Sequence, residues 1–326
     1  MRAAADIVRD SKAFAKEDPR RTWRLLLVTL TLQVATFAAI CIVDVWFLRL
    51  PLAMFLALVQ VRLFAFYHDI LHGAVLRRSR LARPLVYAIG TYLLAVPSVW
   101  RETHDFHHTH NSKLVGSSVG SYPVASVAMW DAMTPKQRRA YRLARHPLTL
   151  VFGYLTVFVY GMNVAPFLRA PAKHWFTMVA LSLHVAVIAL AWRYLGFSTT
   201  IFAVILPLTL SQLIGAYLFY AQHNFPDAEF QSRAEWTYVS AAVGTSSMFD
   251  MSPMMHWFTG NLGYHHVHHL NHRIPFYRLP EAMDAIEELR TPGRTSWSLR
   301  EIAACLRLSV WDPEQRKMIR VAEIPR

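Results

Sequence analysis

Residues 50–72 read LPLAMFLALVQVRLFAFYHDILH, an apolar stretch that ends in two histidines. Residues 50–67 contain one charged side chain, Arg62, and their length is enough for a helix to cross the hydrocarbon core of a bilayer. Because residues four apart lie on one face of a helix, His68 and His72 point in the same direction. The stretch therefore predicts a membrane helix that presents two convergent imidazoles where it leaves the bilayer.

Eleven of the sixteen histidines lie in three short windows. At spacings of three and four residues, each window places two or three imidazoles on one face of a helix. Eight imidazoles converge in this way, which is more than one metal ion binds: His68, His72, His104, His107, His108, His265, His268 and His269. The other three, His110, His266 and His272, lie off these faces and are predicted to stand beside the site or at the surface.

Hydrophobic residues make up 54% of the 326-residue chain, and several apolar stretches approach the roughly 20 residues that a membrane helix needs. The sequence predicts an all-α integral membrane protein with four spanning helices in two hairpins. These spans are predicted at about residues 25–46, 50–67, 174–193 and 197–221. Two weaker apolar stretches, residues 84–99 and 149–168, are interrupted by glycine, proline or asparagine.

The weaker stretches are assigned by counting membrane crossings. Ligands of one metal centre lie on one side of the membrane, and each full crossing changes sides. Residues 84–99 separate the first two histidine windows, so this segment is predicted to dip in and return, or to lie at the interface. Residues 149–168 are followed by Arg169 and Lys173, which favours a segment that begins and ends in the cytosol.

Positive charge in short loops indicates the cytosolic side of a membrane protein. Lysine and arginine are concentrated in the first 24 residues and in residues 77–83 and 136–145, whereas the predicted outer loops carry only Arg49 and Arg193. We therefore expect both termini and every histidine cluster to be cytosolic. The first hydrophobic helix is expected to act as an uncleaved signal anchor.

The whole chain, residues 1–326, is predicted to form one domain. Its cytosolic cap is expected to comprise about residues 68–147 and 222–326. Helical spacing over residues 280–290, and a capping-box signal that opens a helix over residues 298–308, predict short helices in that cap. These helices would cover the histidine clusters from the cytosolic side.

The net charge of +13 is explained by basic residues that flank membrane helices and attract anionic lipid headgroups, at about 1 kcal/mol each. A nucleic-acid groove would need a soluble module with aromatic stacking positions, and the sequence shows none. Nucleic acid is therefore not an expected partner. The two cysteines provide no disulfide framework.

Three histidine boxes spaced HxxxH, HxxHH and HxxHH around a four-helix membrane body resemble those of the membrane fatty acid desaturase and hydroxylase superfamily. The resemblance extends from about Phe66 to Leu289. It is closest at residues 259–282, TGNLGYHHVHHLNHRIPFYRLPEA, which are similar to the third box of bacterial acyl-lipid desaturases. The resemblance implies an O2-dependent, non-haem di-iron oxidoreductase of a bacterial cytoplasmic membrane that introduces a cis double bond into a lipid acyl chain.

Further site residues follow from the resemblance and from ligand chemistry. The family places a ligand histidine at the end of the last spanning helix, which makes His223 the ninth candidate, and Asn261 is a weaker candidate to hold a metal-bound water. Metal-bound histidines usually donate their other N–H to a carboxylate, carbonyl or water, so Asp69 and Asp105 are candidates to support ligands. Since adjacent helix residues point about 100° apart, each Asp is expected to reach a neighbouring box's histidine. The alternative is a solvent-facing acid.

Iron is the expected cofactor and O2 the expected co-substrate. Imidazole suits both iron and zinc, but a zinc site usually needs only three or four protein ligands, and zinc has no redox chemistry with which to activate O2. An apolar tunnel is expected to select the carbon that reacts, because a methylene chain offers no hydrogen-bonding group and only depth can distinguish its carbons.

Electrons are expected from a separate protein. The sequence contains no histidine-proline-glycine-glycine haem motif, no GxGxxG nucleotide fingerprint and no CxxxxCxxC iron–sulfur spacing. Similar enzymes use a ferredoxin, or cytochrome b5 with its reductase, and a basic cytosolic face suits an acidic docking partner.

Two groups of alternatives remain at this point. Hydroxylases and carotenoid ketolases or hydroxylases of the same superfamily share the boxes. A metal transporter or a zinc-binding receptor is less favoured, because a transporter places its polar ligands near mid-membrane on broken helices. The position of the double bond and the acyl carrier, glycerolipid or thioester, are left open.

Overall fold

The computed structural model describes residues 2–114, 119, 121–232 and 234–324. In this part of the chain, four helices are long and apolar enough to cross a membrane: Pro19–Ile42, Trp46–His72, Pro171–Leu195 and Phe197–His223. The predicted all-α membrane fold with four spans is therefore confirmed.

The predicted ends of the first two spans need correction. The first helix begins at Pro19, where the side chain of Asp18 accepts hydrogen bonds from the backbone N–H groups of Arg20 and Arg21, and this cap lets it start within the charged segment. It ends at Ile42, a few residues before the predicted end. The second helix, Trp46–His72, extends beyond the predicted span at both ends and, as expected, carries both histidines of the first box.

The second spanning helix lies at the centre of the molecule and packs against the first and the fourth. It carries Arg62, whose side chain is 2% exposed. The Arg62 Nε donates to the Thr29 hydroxyl at 3.1 Å, and the guanidinium lies 3.9 Å from the ring centre of Trp257. These contacts offset the cost of burying a charge within a membrane helix.

Residues 84–99 contain most of the helix Ala82–Tyr92 and the start of the helix Pro97–His110, a bent pair whose axes meet at 94°. Gly90 lies at the inside of this bend. A β-carbon at this position would lie 2.7 Å from the carbonyl oxygen of Ala95 and 2.9 Å from the Tyr67 ring. The bend therefore has room only for glycine at residue 90.

We expect the substitution Gly90→Ala to destabilise the protein by about 1–3 kcal/mol, the usual cost of overpacking a buried position. Gly215→Ala is the matched control, because a β-carbon there meets nothing within 4 Å. Thermal unfolding of both variants in detergent measures the difference. An equal melting temperature for Gly90→Ala and wild type would show that the bend is not tightly packed.

Residues 149–168 form three short helices, Pro147–Val151, Tyr154–Val164 and Ala165–Arg169. The middle one, Tyr154–Val164, is a π-helix. Its backbone hydrogen bonds join residues five apart, whereas those of an α-helix join residues four apart. None of these three helices is as long as the four spans. This agrees with the glycine, proline and asparagine residues that interrupt the apolar stretch in the sequence. On which side of a membrane the segment begins and ends stays a prediction.

The remaining chain forms a cap of short helices at one end of the spans. The Ser298 hydroxyl accepts a hydrogen bond from the Glu301 backbone N–H at 3.2 Å and starts the helix predicted there. The α- and 3-10 helices outside the spans, the bent pair and residues 147–169 are Ala4–Ser11, Lys12–Phe14, Val127–Asp131, Pro135–Ala144, Tyr238–Gly244, Pro253–Phe258, His265–Leu270, Phe276–Arg278, Leu279–Ala285, Glu287–Leu289, Leu299–Arg307 and Val321–Glu323.

Two small sheets, which the sequence does not predict, join distant parts of the cap. Ala125–Ser126 pairs in parallel with Val310–Asp312, which pairs antiparallel with Lys317–Ile319. Met248–Asp250 pairs in parallel with Arg294–Ser296. Strands of two or three residues have no recognisable alternation, and their partners lie far away in sequence, so local patterns cannot reveal them.

Candidate metal centre

Nine histidines converge in two adjacent groups between the ends of the spans and the cap. Within each group, one ring nitrogen of every histidine lies within 4.8 Å of those of the others. The first group consists of His68, His72, His104, His108 and His268. The second group consists of His107, His223, His265 and His269. The structure thus brings together all eight histidines of the three boxes and the ninth candidate.

Helix geometry sorts the boxes between the groups. On Pro97–His110, His104 and His108 are one turn apart and face the first group, whereas His107 faces the second. On the short helix His265–Leu270, His265 and His269 face the second group and His268 faces the first. These two helices therefore contribute to both groups and hold them side by side.

The four Nε2 atoms of the second group form a closed ring. The distance is 3.0 Å from His107 to His223, 2.8 Å from His223 to His265, 3.2 Å from His265 to His269 and 3.2 Å from His269 to His107. A metal bound at about 2.0–2.1 Å by imidazoles separates neighbouring ligand nitrogens by roughly 2.8–3.4 Å. The ring therefore fits one metal ion.

The first group has similar spacings. The Nε2 atoms of His68, His104, His108 and His268 follow one another at 3.2, 3.1 and 3.0 Å. The His72 ring lies 4.6–5.0 Å from the rings of these four residues, and its buried Nε2 has no hydrogen-bond partner in the described part of the chain. A buried nitrogen left without a partner is costly, and a shared metal ion would satisfy it.

Two of the histidines are oriented by a hydrogen bond to their other ring nitrogen. His223 Nδ1 lies 2.9 Å from the carbonyl oxygen of Thr245, and His68 Nδ1 lies 3.1 Å from Oδ1 of Asp69. Because these oxygens only accept, each Nδ1 carries the proton and each Nε2 presents its lone pair to its group. This arrangement is typical of metal-binding histidines.

The electrostatics also suit metal ions. Burial, with a further contribution from neighbouring imidazoles, lowers the pKa of His268 and His269 well below the ordinary histidine value. These side chains are therefore neutral at physiological pH, and the neutral imidazole is the form that binds metals. These two side chains therefore offer lone pairs to a metal ion without a competing proton.

Asp69 corrects one detail of the sequence prediction. It contacts the histidine beside it in sequence, His68, and not one of a neighbouring box. Nδ1 is the ring nitrogen nearer the backbone, so the carboxylate of the next residue reaches it while Nε2 points away. Oδ2 of Asp69 accepts a 2.7 Å hydrogen bond from the backbone N–H of Phe276. Asp69 therefore links the first box to the segment that follows the third.

Asp105 and Asn261 are not placed against a ligand histidine in the described part of the chain. Asp105 is exposed and makes no side-chain hydrogen bond or ion pair there, so the solvent-facing alternative describes it. The Asn261 amide donates to the carbonyl of Phe276 at 3.1 Å, within the turn that precedes the third box. Its suggested role in holding water stays a prediction.

The three histidines of the windows that do not belong to the boxes, His110, His266 and His272, stay outside both groups, as expected. His266 Nε2 lies 3.0 Å from the carbonyl oxygen of Leu289, and the His110 ring stacks on Phe106 at 3.9 Å. His272 lies beside the first group, with its ring 4.8 Å from that of His72.

The contacts that two residues make at the site were not predicted from the sequence. Trp100 stacks on the His104 ring at 4.1 Å and forms a wall of the first group. Arg145 is buried, donates to the Tyr220 hydroxyl at 3.2 Å and to Asn224, and lines a small polar cavity with His107 and His223. Nothing in the local sequence separates Arg145 from the other basic residues of its segment.

Four candidate membrane spans and two groups of buried histidines define an integral membrane protein with a candidate two-metal centre. The fatty acid desaturase family model matches residues 44–300, which include all nine histidines. The chain therefore belongs to the fatty acid desaturase family, as the histidine boxes predict, and it is an oxidoreductase of lipid metabolism.

A curated relative agrees with this assignment. A protein described as a fatty acid desaturase of Bacillus subtilis (strain 168) is 29% identical to this chain over 294 residues. The match covers 87% of this chain and 80% of the relative. The similarity therefore extends over most of the chain.

Proposed function

We propose that this protein is a membrane-bound, O2-dependent desaturase that introduces a cis double bond into a lipid acyl chain, with two iron ions held by the nine histidines. The observation that carries the proposal is the division of nine imidazoles, eight of them buried, into groups of five and four within a chain of the desaturase family.

The ligand set favours iron over zinc. A group of five imidazoles exceeds the usual three or four protein ligands of zinc, and the desaturase family is generally iron-dependent. His68, His72, His104, His108 and His268 would hold one ion, and His107, His223, His265 and His269 the other. When bound, the iron ions supply the redox chemistry with O2 that removes hydrogen from an unactivated methylene.

The protein's own residues prepare the site for this chemistry. Asp69 and the Thr245 carbonyl fix the tautomers of His68 and His223. Trp100 packs against three rings of the first group, and four of that group's five histidines are buried. Exclusion of water strengthens electrostatic interactions and protects reactive species from side reactions. These features suit a reaction at an apolar substrate.

The reaction needs an external reductant. Conversion of two adjacent methylenes to a double bond releases two hydrogens, and reduction of one O2 to two waters takes up four, so two electrons and two protons must be supplied. A ferredoxin, or cytochrome b5 with its reductase, would supply the electrons. The helix Pro135–Ala144 carries exposed basic side chains, among them Lys136, Arg139 and Arg142, which give the cap a basic surface for an acidic donor.

The proposed topology places both termini and the metal centre in the cytosol of a bacterial cell. His72 and His223 end the second and fourth spans and belong to one centre, so these two ends lie on one side of the membrane. The bent pair leaves this side after His72 and returns to it with His104. A re-entrant segment meets this requirement.

Expression in a host without desaturases tests the proposed reaction. Gas chromatography with mass spectrometry of fatty acid methyl esters is expected to show new acyl chains lighter by two hydrogens, with one double-bond position. His269→Ala is the inactive control. Products heavier by one oxygen would support the hydroxylase alternative instead, and a purified protein with zinc alone and unchanged host lipids would contradict the proposal.

A further inference from the structure

The break in the bent helix pair, residues 93–96, is buried and irregular. All four residues are at most 3% exposed, and Leu94 has a φ of 57°, an uncommon left-handed conformation for leucine. The helical hydrogen bonds end here, so several backbone carbonyls need other partners. In an apolar environment each unsatisfied carbonyl is costly.

Three side chains from three different elements supply these partners. The Gln212 amide donates to the carbonyl of Leu93 at 2.9 Å, and the Asn163 amide donates to the carbonyl of Leu94 at 2.8 Å. The Tyr67 hydroxyl donates to the carbonyl of Ala95. Three consecutive carbonyls of the break are thus each held by a separate buried side chain.

The donors connect the break to the elements that carry the other ligands. Tyr67 directly precedes His68 on the second spanning helix, and Gln212 lies three turns before His223 on the fourth. Asn163 lies on the π-helix Tyr154–Val164. The break is therefore tied directly to both spanning helices that end in ligand histidines.

The helix Pro97–His110 makes the position of the second box sensitive to the bend angle. His104 lies eight residues beyond the break, about 12 Å along the helix axis at 1.5 Å per residue. A change of about 5° in the bend would move His104 by roughly 1 Å, and a displacement of this size can cost about a hundredfold in rate. The side chains that hold the break therefore control ligand placement.

We propose that Tyr67, Asn163 and Gln212 are positioning residues that fix the bend between the two helices, and so direct His104 and His108 to one metal and His107 to the other. The inference rests on the proposed function, since it concerns the geometry of the iron centre. It assigns an indirect role in metal binding to three residues outside the histidine boxes. They act through the position of the second box and do not contact a metal themselves.

The test compares Tyr67→Phe and Gln212→Met with Tyr87→Phe. The first two variants each remove one hydrogen-bond donor to the break. Tyr87→Phe is the control, because it removes the same hydroxyl group as Tyr67→Phe from an exposed residue of the helix Ala82–Tyr92. Gln212→Glu is a rescue variant, because a neutral buried carboxyl group can still donate to Leu93. Measurements are iron per chain, Mössbauer spectra of the iron-loaded protein, thermal unfolding, kcat and KM.

We expect Tyr67→Phe and Gln212→Met to bind less iron or to show altered Mössbauer spectra, and to lose about tenfold or more in kcat with KM within about twofold of wild type. Tyr87→Phe should match wild type, and Gln212→Glu should recover at least part of the loss. Tyr67→Phe, which removes one oxygen atom, is expected to fold even where Gln212→Met does not.

Wild-type iron content, spectra and kcat in both variants would overturn the inference, as would losses that merely follow the fraction of folded protein. These outcomes leave the proposed function intact. Wild-type protein that binds no iron would instead overturn the proposed function, and the inference with it.

Discussion

The His223→Ala variant is expected to lose desaturation almost completely, by more than the roughly 10–100-fold that follows removal of a residue that only supports a metal ligand. His223 supplies one of four nitrogens in the second group, at 3.0 Å from His107 and 2.8 Å from His265. Without it, three ligands and an open space remain. Iron should fall from about two per chain to about one.

Metal analysis of the purified variant and product analysis of host lipids measure these effects. His110→Ala is the matched control, because His110 is also a histidine of the second window but stacks on Phe106 outside both groups. It should keep its iron and activity within about twofold. If His223→Ala retained both metals and most of its activity, His223 would not be a ligand and the nine-histidine centre would be wrong.

The second large effect is expected for Asp69→Asn, with a loss of about 10–100-fold in activity or metal affinity. Asp69 uses both carboxylate oxygens, one for His68 and one for the backbone N–H of Phe276. An amide has one acceptor oxygen and cannot serve both donors. The His68 ring therefore loses its orientation, or the link to the segment after the third box is broken.

Asp105→Asn is the control for this prediction. Both acids directly follow the first histidine of a box, but Asp105 is exposed whereas Asp69 is 1% exposed. Iron content and kcat of Asp105→Asn should equal those of wild type. Equal losses in the two variants would show that burial and hydrogen bonding do not separate their roles, and no loss in Asp69→Asn would mean that His68 needs no support.

The comparison of these two acids shows where local reasoning ends. The sequence places each one beside a histidine on a helix, and the two patterns are equivalent. What separates them is the surroundings of each side chain. Asp69 is buried against the segment that contains Phe276, whereas Asp105 faces solvent. Such neighbours come from distant parts of the sequence, so no local spacing reveals them. The contacts of Arg145 and Trp100 could not be predicted for the same reason.

The bend between the helices Ala82–Tyr92 and Pro97–His110 was partly predictable. The count of membrane crossings predicted that residues 84–99 dip in and return, or lie at the interface, and the structure has a 94° bend there. The position of the break and the side chains that satisfy its carbonyls were not predictable. Gln212 and Asn163 are polar residues within largely apolar helices, and the sequence alone does not say which backbone group each one faces.

The sequence by itself determined the four apolar spans and the eight convergent histidines of the boxes, because hydropathy and the 3.6-residue helical period act over short distances along the chain, and the family resemblance added His223. Only the tertiary structure decided that His104, His108 and His268 join one group while His107, His265 and His269 join the other. That division depends on the angles at which separate helices meet. Packing between residues far apart in sequence sets those angles, and a periodic pattern within one helix carries no information about them.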